Sequence, residues 1–144
     1  MKVVVTGGAG FIGSNFVRRT LGTRPDVKIT VLDSLTYAGR LSNLEGLEGK
    51  FEFVQGDICD SRVVESVVST ADVVVHFAAE SHNDNSLKSP RPFIETNVFG
   101  TFELIQACVK NNVRMHHVST DEVFGDLALD GTDKFTRDTP YNPS

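Results

Sequence analysis

The chain has 144 residues, with 14 lysines and arginines against 19 aspartates and glutamates, a formal net charge of −5. That length supports one domain with its own core, and the acidic balance argues against a nucleic-acid surface. No apolar run is long enough to cross a membrane, and Met1-Lys2 runs straight into an extended segment without a leader pattern, so no membrane partner is expected.

The first expected element is a strand over Lys2–Thr6, a β-branched run feeding the turn Gly7-Gly8-Ala9-Gly10. A helix over Phe11–Leu21 comes next. Gly8, Gly10 and Gly13 meet the pattern G-x-G-x-x-G, with Asp33 about 20 residues further on. Small residues let the backbone turn sharply and approach a diphosphate. Free N–H groups at the helix start, together with the helix dipole, favour the anion. Gly13 lets the helix pack closely on the strand.

A second strand, Val27–Leu32, ends at Asp33. A carboxylate there accepts hydrogen bonds from adenosine ribose hydroxyls and repels a 2′-phosphate. The nearest cation after it is Arg40, so NAD is favoured over NADP. Ser34–Gly49 reads as a long polar connection with one helical turn at Leu41–Leu44. A third strand, Phe51–Gln55, ends in Gly56-Asp57-Ile58, where a short acid can hold the adenine amino group. A helix over Ser61–Ser69 leads to a fourth strand, Asp72–Phe77. That strand ends in Ala78-Ala79-Glu80-Ser81-His82, whose small residues let a flat ligand lie against the backbone.

A long helix is expected over Pro92–Asn112, with prolines 90 and 92 near its start. Ile94, Val98, Thr101, Ile105 and Cys108 form its expected core stripe. Gly100 lies inside it and costs roughly 1 kcal/mol relative to Ala, which implies close approach to the sheet or to a neighbouring subunit. The fifth strand, Arg114–Ser119, ends in Thr120-Asp121-Glu122. His116 and His117 are adjacent on it and should point to opposite faces, which argues against a shared metal. Cys59 and Cys108 lack metal-ligand spacing and fit a reducing, cytoplasmic setting. No metal site is expected.

Strands alternating with helices, and apolar along their length, imply a parallel sheet buried on both faces. Right-handed crossovers give the doubly wound order 3-2-1-4-5, an α/β NAD-binding Rossmann fold truncated after about five strands. Ligands bind at the carboxyl ends of such strands, so the polar strand ends and the glycine turn should share one edge.

Thr6-Gly7-Gly8-Ala9-Gly10-Phe11-Ile12-Gly13 resembles the opening of the extended short-chain dehydrogenase/reductases. Asp33-Ser34-Leu35-Thr36-Tyr37-Ala38-Gly39, Gly56-Asp57-Ile58-Cys59-Asp60, Ala78-Ala79-Glu80-Ser81-His82 and Ser119-Thr120-Asp121-Glu122-Val123 narrow the resemblance to the dTDP-glucose 4,6-dehydratases, along the full chain. The resemblance implies an NAD-dependent lyase that removes water from a nucleoside-diphosphate hexose to give a 4-keto-6-deoxy sugar. It places Gly7, Gly10, Phe11, Ile12 and Gly13 on the pyrophosphate side, and Asp33, Ser34, Leu35 and Thr36 around the adenosine ribose. Asp57 and Ile58 fall at the adenine. Phe77, Ala78, Ala79, Glu80 and Thr96 flank the dinucleotide. Ser81 and Thr120 would touch the sugar, Asp121 would be the general acid and Glu122 the general base. Opposite roles for two carboxyls require different protonation states.

The chain departs from that pattern at Asn83 and Asn85, where the family has valine and arginine, and at Phe124, where tyrosine is common. A Tyr-x-x-x-Lys pair is missing: Tyr37 and Tyr141 have no lysine four residues on. In the family, the segment resembling Tyr141-Asn142-Pro143-Ser144 comes just before the catalytic tyrosine. Residues 1–144 are therefore expected to be one incomplete NAD-binding domain, lacking its C-terminal substrate domain and unable to turn over. The alternatives are a non-catalytic NAD-binding module, and another sugar-nucleotide dehydratase or 4-epimerase. A homodimer through the Pro92–Asn112 helix is the expected assembly.

Overall fold

The structure, a computed structural model, describes residues 1–143; Ser144, the end of the Tyr141–Ser144 segment, lies outside the described residues. Five strands form one parallel sheet: β1 (Lys2–Thr6), β2 (Lys28–Asp33), β3 (Phe51–Gln55), β4 (Val73–His76) and β5 (Arg114–His117), in the order β3-β2-β1-β4-β5. The winding thus reverses beside β1, as expected. Its Val5 sits opposite Val31 on one side and Val75 on the other.

Alternation along β1 sorts the core into two layers. Val3 and Val5 join Val17, Ile29 and Val31 on the side of α1 (Phe11–Thr23). Val4 joins Leu32, Val64, Val68, Val74 and Leu104 on the side of α2 (Ser61–Val68) and α5 (Thr101–Lys110). The start of α2 is fixed by Asp60, whose carboxylate accepts the Arg62 N–H at 3.0 Å.

Between β4 and β5 the structure adds one element and corrects one expectation. A short helix, α3 (Asn83–Lys88), occupies a stretch for which no element was expected. Its single apolar residue, Leu87, is exposed, so hydrophobic periodicity had nothing to report. The long helix is not continuous. It runs as α4 (Arg91–Ile94), a π turn over Glu95–Gly100, and α5. One extra residue in a turn rotates the rest of the helix by about 100°. The inward face is therefore Gly100, Leu104, Ala107 and Cys108. Of the expected core stripe, Ile94 is 53%, Val98 54% and Ile105 45% exposed.

Gly100 does mark a close approach, and within the chain it is to the loop after β3 rather than to a strand of the sheet. A Cβ there would lie 2.6 Å from Ile58 Cδ1, in the loop after β3.

Candidate functional site

Because every strand is parallel, all five carboxyl ends share one edge of the sheet. At the end of β1, Gly7 has φ +68° and donates its N–H to the Leu32 carbonyl at 2.9 Å. A Cβ on Gly7 would sit 2.6 Å from the Ala78 nitrogen, and one on Gly13 would strike the Gly7 carbonyl. Gly7 is packed against the loop leaving β4 and Gly13 against Gly7, with no room for a side chain at either position. Gly10 N-caps α1, and no side chain among the described residues caps it. The first N–H groups of α1 have no intrahelical acceptor, which makes this helix start a place for an anion.

Asp33 closes β2 and is 8% exposed. Its Oδ2 accepts the Ala9 N–H at 2.9 Å and its Oδ1 accepts the Leu35 N–H at 2.9 Å. The carboxylate thereby ties the glycine turn to the β2 loop. Each oxygen keeps a second lone pair for another donor.

A cavity of about 120 Å³ opens between these loops. Gly7 and Gly10 line it from the glycine turn, Asp33, Ser34 and Thr36 from the β2 end, and Asp57 and Ile58 from the β3 end. Phe77, Ala78, Ala79 and Glu80 line it from the β4 end, and Thr96 from the π turn. The remaining expected cofactor residues lie beside it. Phe11 and Ile12 stand exposed at the start of α1, Gly13 is buried beneath Gly7, and Leu35 packs into the core on the α1 side.

The expected catalytic residues are not in that cavity. Thr120 leads into a 3₁₀ turn over Asp121–Phe124 beyond the edge strand β5, and Thr120, Asp121 and Glu122 are all exposed. The Thr120 hydroxyl accepts the Glu122 N–H and donates to Asp121 Oδ1, both at 3.3 Å. Ser81 is exposed just past Glu80. Phe124 is seated between Phe135 and Tyr141, at 5.2 and 5.6 Å between ring centroids, an apolar setting that suits a ring without a hydroxyl.

Several residues at this edge were not anticipated as site residues. Ala38 and Gly39 also line the cavity. Asn97, on the π turn, accepts the Glu80 N–H and donates to the Glu80 carbonyl, both at 2.8 Å. The Tyr37 hydroxyl donates to Glu80 Oε2 at 3.0 Å. Cys59 donates its thiol to the Glu95 carbonyl at 3.2 Å; burial and the Asp57 carboxylate push that thiol up to about 11, so it stays protonated. None of these contacts follows a periodic pattern that a sequence reveals.

Sheet order, glycine turn and crevice together define a Rossmann-type domain. The family model described as GDP-mannose 4,6 dehydratase matches residues 4–144, and the chain belongs to that family. It is 56% identical to the dTDP-glucose 4,6-dehydratase of Mycobacterium tuberculosis over 144 residues, all of this chain and 44% of that protein. Among solved structures it resembles a double mutant of the Streptomyces venezuelae dTDP-glucose 4,6-dehydratase DesIV, with NAD and DAU bound. The TM-score is 0.91 at 46% identity, covering 99% of this chain and 46% of that one. It is also similar to the UDP-glucose 4-epimerase of Thermus thermophilus in complex with NAD, at TM-score 0.85 and 29% identity, covering 99% and 45%. The chain spans about half the length of the curated relatives it matches. No helix among the described residues is long and apolar enough to cross a membrane.

Proposed function

We propose that this chain is the NAD-binding part of a dTDP-glucose 4,6-dehydratase, acting in the cytoplasm on a nucleoside-diphosphate hexose. The observation that carries the proposal is the shared crevice, in which Asp33 and Ala78 flank a glycine turn with no space for a Cβ at Gly7. The residues fit a dinucleotide. Backbone N–H groups at Phe11–Gly13 would hold the pyrophosphate, Asp33 to Thr36 the adenosine ribose, and Asp57 and Ile58 the adenine. Phe77 to Glu80 and Thr96 would flank the rest. NAD would supply the hydride acceptor for the sugar C4 and the hydride returned to C6.

The chain's own residues handle protons. A ketone at C4 would acidify the C5 proton, which Glu122 would take as general base; Asp121 would serve as general acid toward the departing C6 hydroxyl. Thr120 and Ser81 hold the sugar. Glu122 and Asp121 share one short turn rather than a regular strand, which supports joint access to one substrate. A regular strand would send adjacent side chains to opposite faces. The exposed position of the turn is consistent with a substrate covering it from outside the dinucleotide crevice.

The reading includes a second copy of the chain as partner, supported by the exposed apolar residues Val98, Phe102, Ile105 and Val109. It also includes no turnover by residues 1–144 alone, because neither tyrosine has the paired lysine. Purified chain supplied with NAD and dTDP-glucose should bind NAD and release no 4-keto-6-deoxy product; sustained product formation overturns that part. A non-catalytic NAD-binding module is favoured by one observation, the asparagines at 83 and 85. Absence of turnover in a longer form carrying the Tyr-x-x-x-Lys pair, while NAD still binds, would select it. Activity of a Glu122→Gln variant equal to the parent in a longer form carrying the Tyr-x-x-x-Lys pair would select an epimerase instead.

A further inference from the structure

Tyr37 and Glu80 stand on opposite sides of the crevice. Tyr37 belongs to the loop leaving β2, between the lining residues Thr36 and Ala38, and Glu80 to the loop leaving β4. The Tyr37 hydroxyl crosses to Glu80 Oε2 at 3.0 Å, joining loops 43 residues apart in sequence. Tyr37 is 54% exposed and belongs to neither core layer, so packing does not account for where its ring lies.

The two ends of this bridge differ in stiffness. Glu80 is a fixed post, because the Asn97 side chain binds both its N–H and its carbonyl at 2.8 Å. The Tyr37 end is a short span between anchors. Asp33 holds the Leu35 N–H on one side, and Arg40 donates its N–H to the Ala9 carbonyl at 3.0 Å on the other. Among the described residues, Thr36 to Gly39 make no backbone hydrogen bond. A span tied at both ends and free between them moves as a flap.

The cavity between these loops is about 120 Å³, well below the ~300–1,000 Å³ of sites that hold small organic ligands. Seating a dinucleotide fully therefore requires the loops to part. We infer that Tyr37 and Glu80 form a strap over the dinucleotide crevice, which parts to admit the cofactor and re-forms to retain it. The inference rests on the dinucleotide reading above. Retention has a use there: hydride taken from C4 must return to C6, and reduced cofactor that leaves between the two events aborts the cycle. Burial and the Glu80 carboxylate push the Tyr37 hydroxyl's pKa up, against a smaller downward pull from the Asn85 amide, so the phenol remains a donor at neutral pH.

The test is NADH release from the purified 144-residue chain, followed by nucleotide fluorescence after displacement with excess NAD+. Tyr37→Phe removes the donor and should raise the release rate about fivefold, the factor expected from losing one exposed hydrogen bond. Glu80→Ala should raise it at least as much, and adding Tyr37→Phe to Glu80→Ala should raise it no further, since the bridging hydrogen bond is already lost. Glu80→Gln keeps an acceptor and should restore a rate near that of the parent. In the free protein, Tyr37→Phe should also speed amide exchange across residues 36–40. Equal release rates for all variants overturn the strap and leave the dinucleotide reading standing. Additive effects in the double variant likewise overturn the strap, because each residue would then act through contacts of its own. Failure of the parent chain to bind NADH overturns the dinucleotide reading, and the strap with it.

Discussion

Thr6 Oγ1 and His76 Nδ1 meet at 2.6 Å, linking the strand that enters the glycine turn to the strand that leads to Ala78. The other ring nitrogen of His76 lies 3.0 Å from Thr101 Oγ1 on α5. His76 is 1% exposed, and the His117 ring packs against it at 5.0 Å between centroids. A neutral imidazole, one nitrogen donating and one accepting, satisfies both hydroxyls without burying a charge. Burial, with the nearby His117, lowers its pKa to about 4.

That depression makes stability depend on pH. The unfolded chain takes up the His76 proton near the ordinary value of 6.5, whereas the folded chain resists until about 4. Between those values the unfolded state binds more protons, so this contribution is full above 6.5 and falls as the pH drops toward 4. From pH 7.5 to pH 5 the loss amounts to about 2 kcal/mol. Urea unfolding at the two values should show it, and a His76→Gln variant should lose that part of the difference. An unchanged difference in the variant would assign the acid sensitivity to the carboxylates.

Alanine in place of glycine should have opposite effects at two positions. At Gly7 the backbone has φ +68°, and a Cβ would meet the Ala78 N, Ala78 Cα and Phe77 C atoms at 2.6–2.8 Å. All three are backbone atoms just past the end of β4, so the clash has no cheap relief. Gly7→Ala should cost about 3 kcal/mol. Gly22 lies exposed in α1, and a Cβ there meets nothing within 4 Å. Gly22→Ala should therefore stabilise by about 0.5–1 kcal/mol. Thermal denaturation of both variants, read against the parent, checks the sign of each.

Asp33 has two separable duties, and its variants should show both. Asn at 33 offers one acceptor oxygen where the carboxylate serves the Ala9 and Leu35 N–H groups together. One of those N–H groups is left facing an amide NH2, so Asp33→Asn should cost about 1–3 kcal/mol of stability. NAD affinity should drop at least about tenfold, roughly 1.4 kcal/mol, because ribose hydroxyls lose their charged acceptor. NADP should not bind in its place, since no cation follows before Arg40. Calorimetric titration with both nucleotides would reveal a gain for NADP, and such a gain would contradict this role.

The sequence carried the sheet because strand alternation and glycine spacing depend only on neighbours along the chain. Val3–Thr6, Asp33 and Gly56–Ile58 occupy the strand and strand-end positions their residue types imply. What it concealed is non-local. The π turn at Glu95–Gly100 has no residue signature, yet it decides which face of α5 points inward. Gly100 signalled a close approach, but its neighbour, Ile58, lies 42 residues earlier and meets it only in the fold. The Asn97 clamp on Glu80 and the Thr6–His76–Thr101 chain are likewise pairings between distant segments. For Thr120, Asp121 and Glu122, the residue types suggested chemistry, while their place in an exposed turn outside the crevice is set by the fold.

The rotated α5 leaves an outward seam of Phe102, Ile105 and Val109, all exposed and spaced three and four residues apart. That spacing gathers them into one helical stripe. Stripes of this kind are rare on soluble monomers unless another surface covers them, and a second copy presents the same stripe about a two-fold axis. The chain should therefore associate into dimers in sedimentation-velocity runs at micromolar concentration. Phe102 and Ile105 point away from the inward-facing Leu104 and Ala107, so charges there leave the core intact. A Phe102→Glu, Ile105→Lys double variant should sediment as a monomer with unchanged thermal stability at low concentration. A parent chain that stays monomeric throughout that range would leave the stripe without the partner proposed for it.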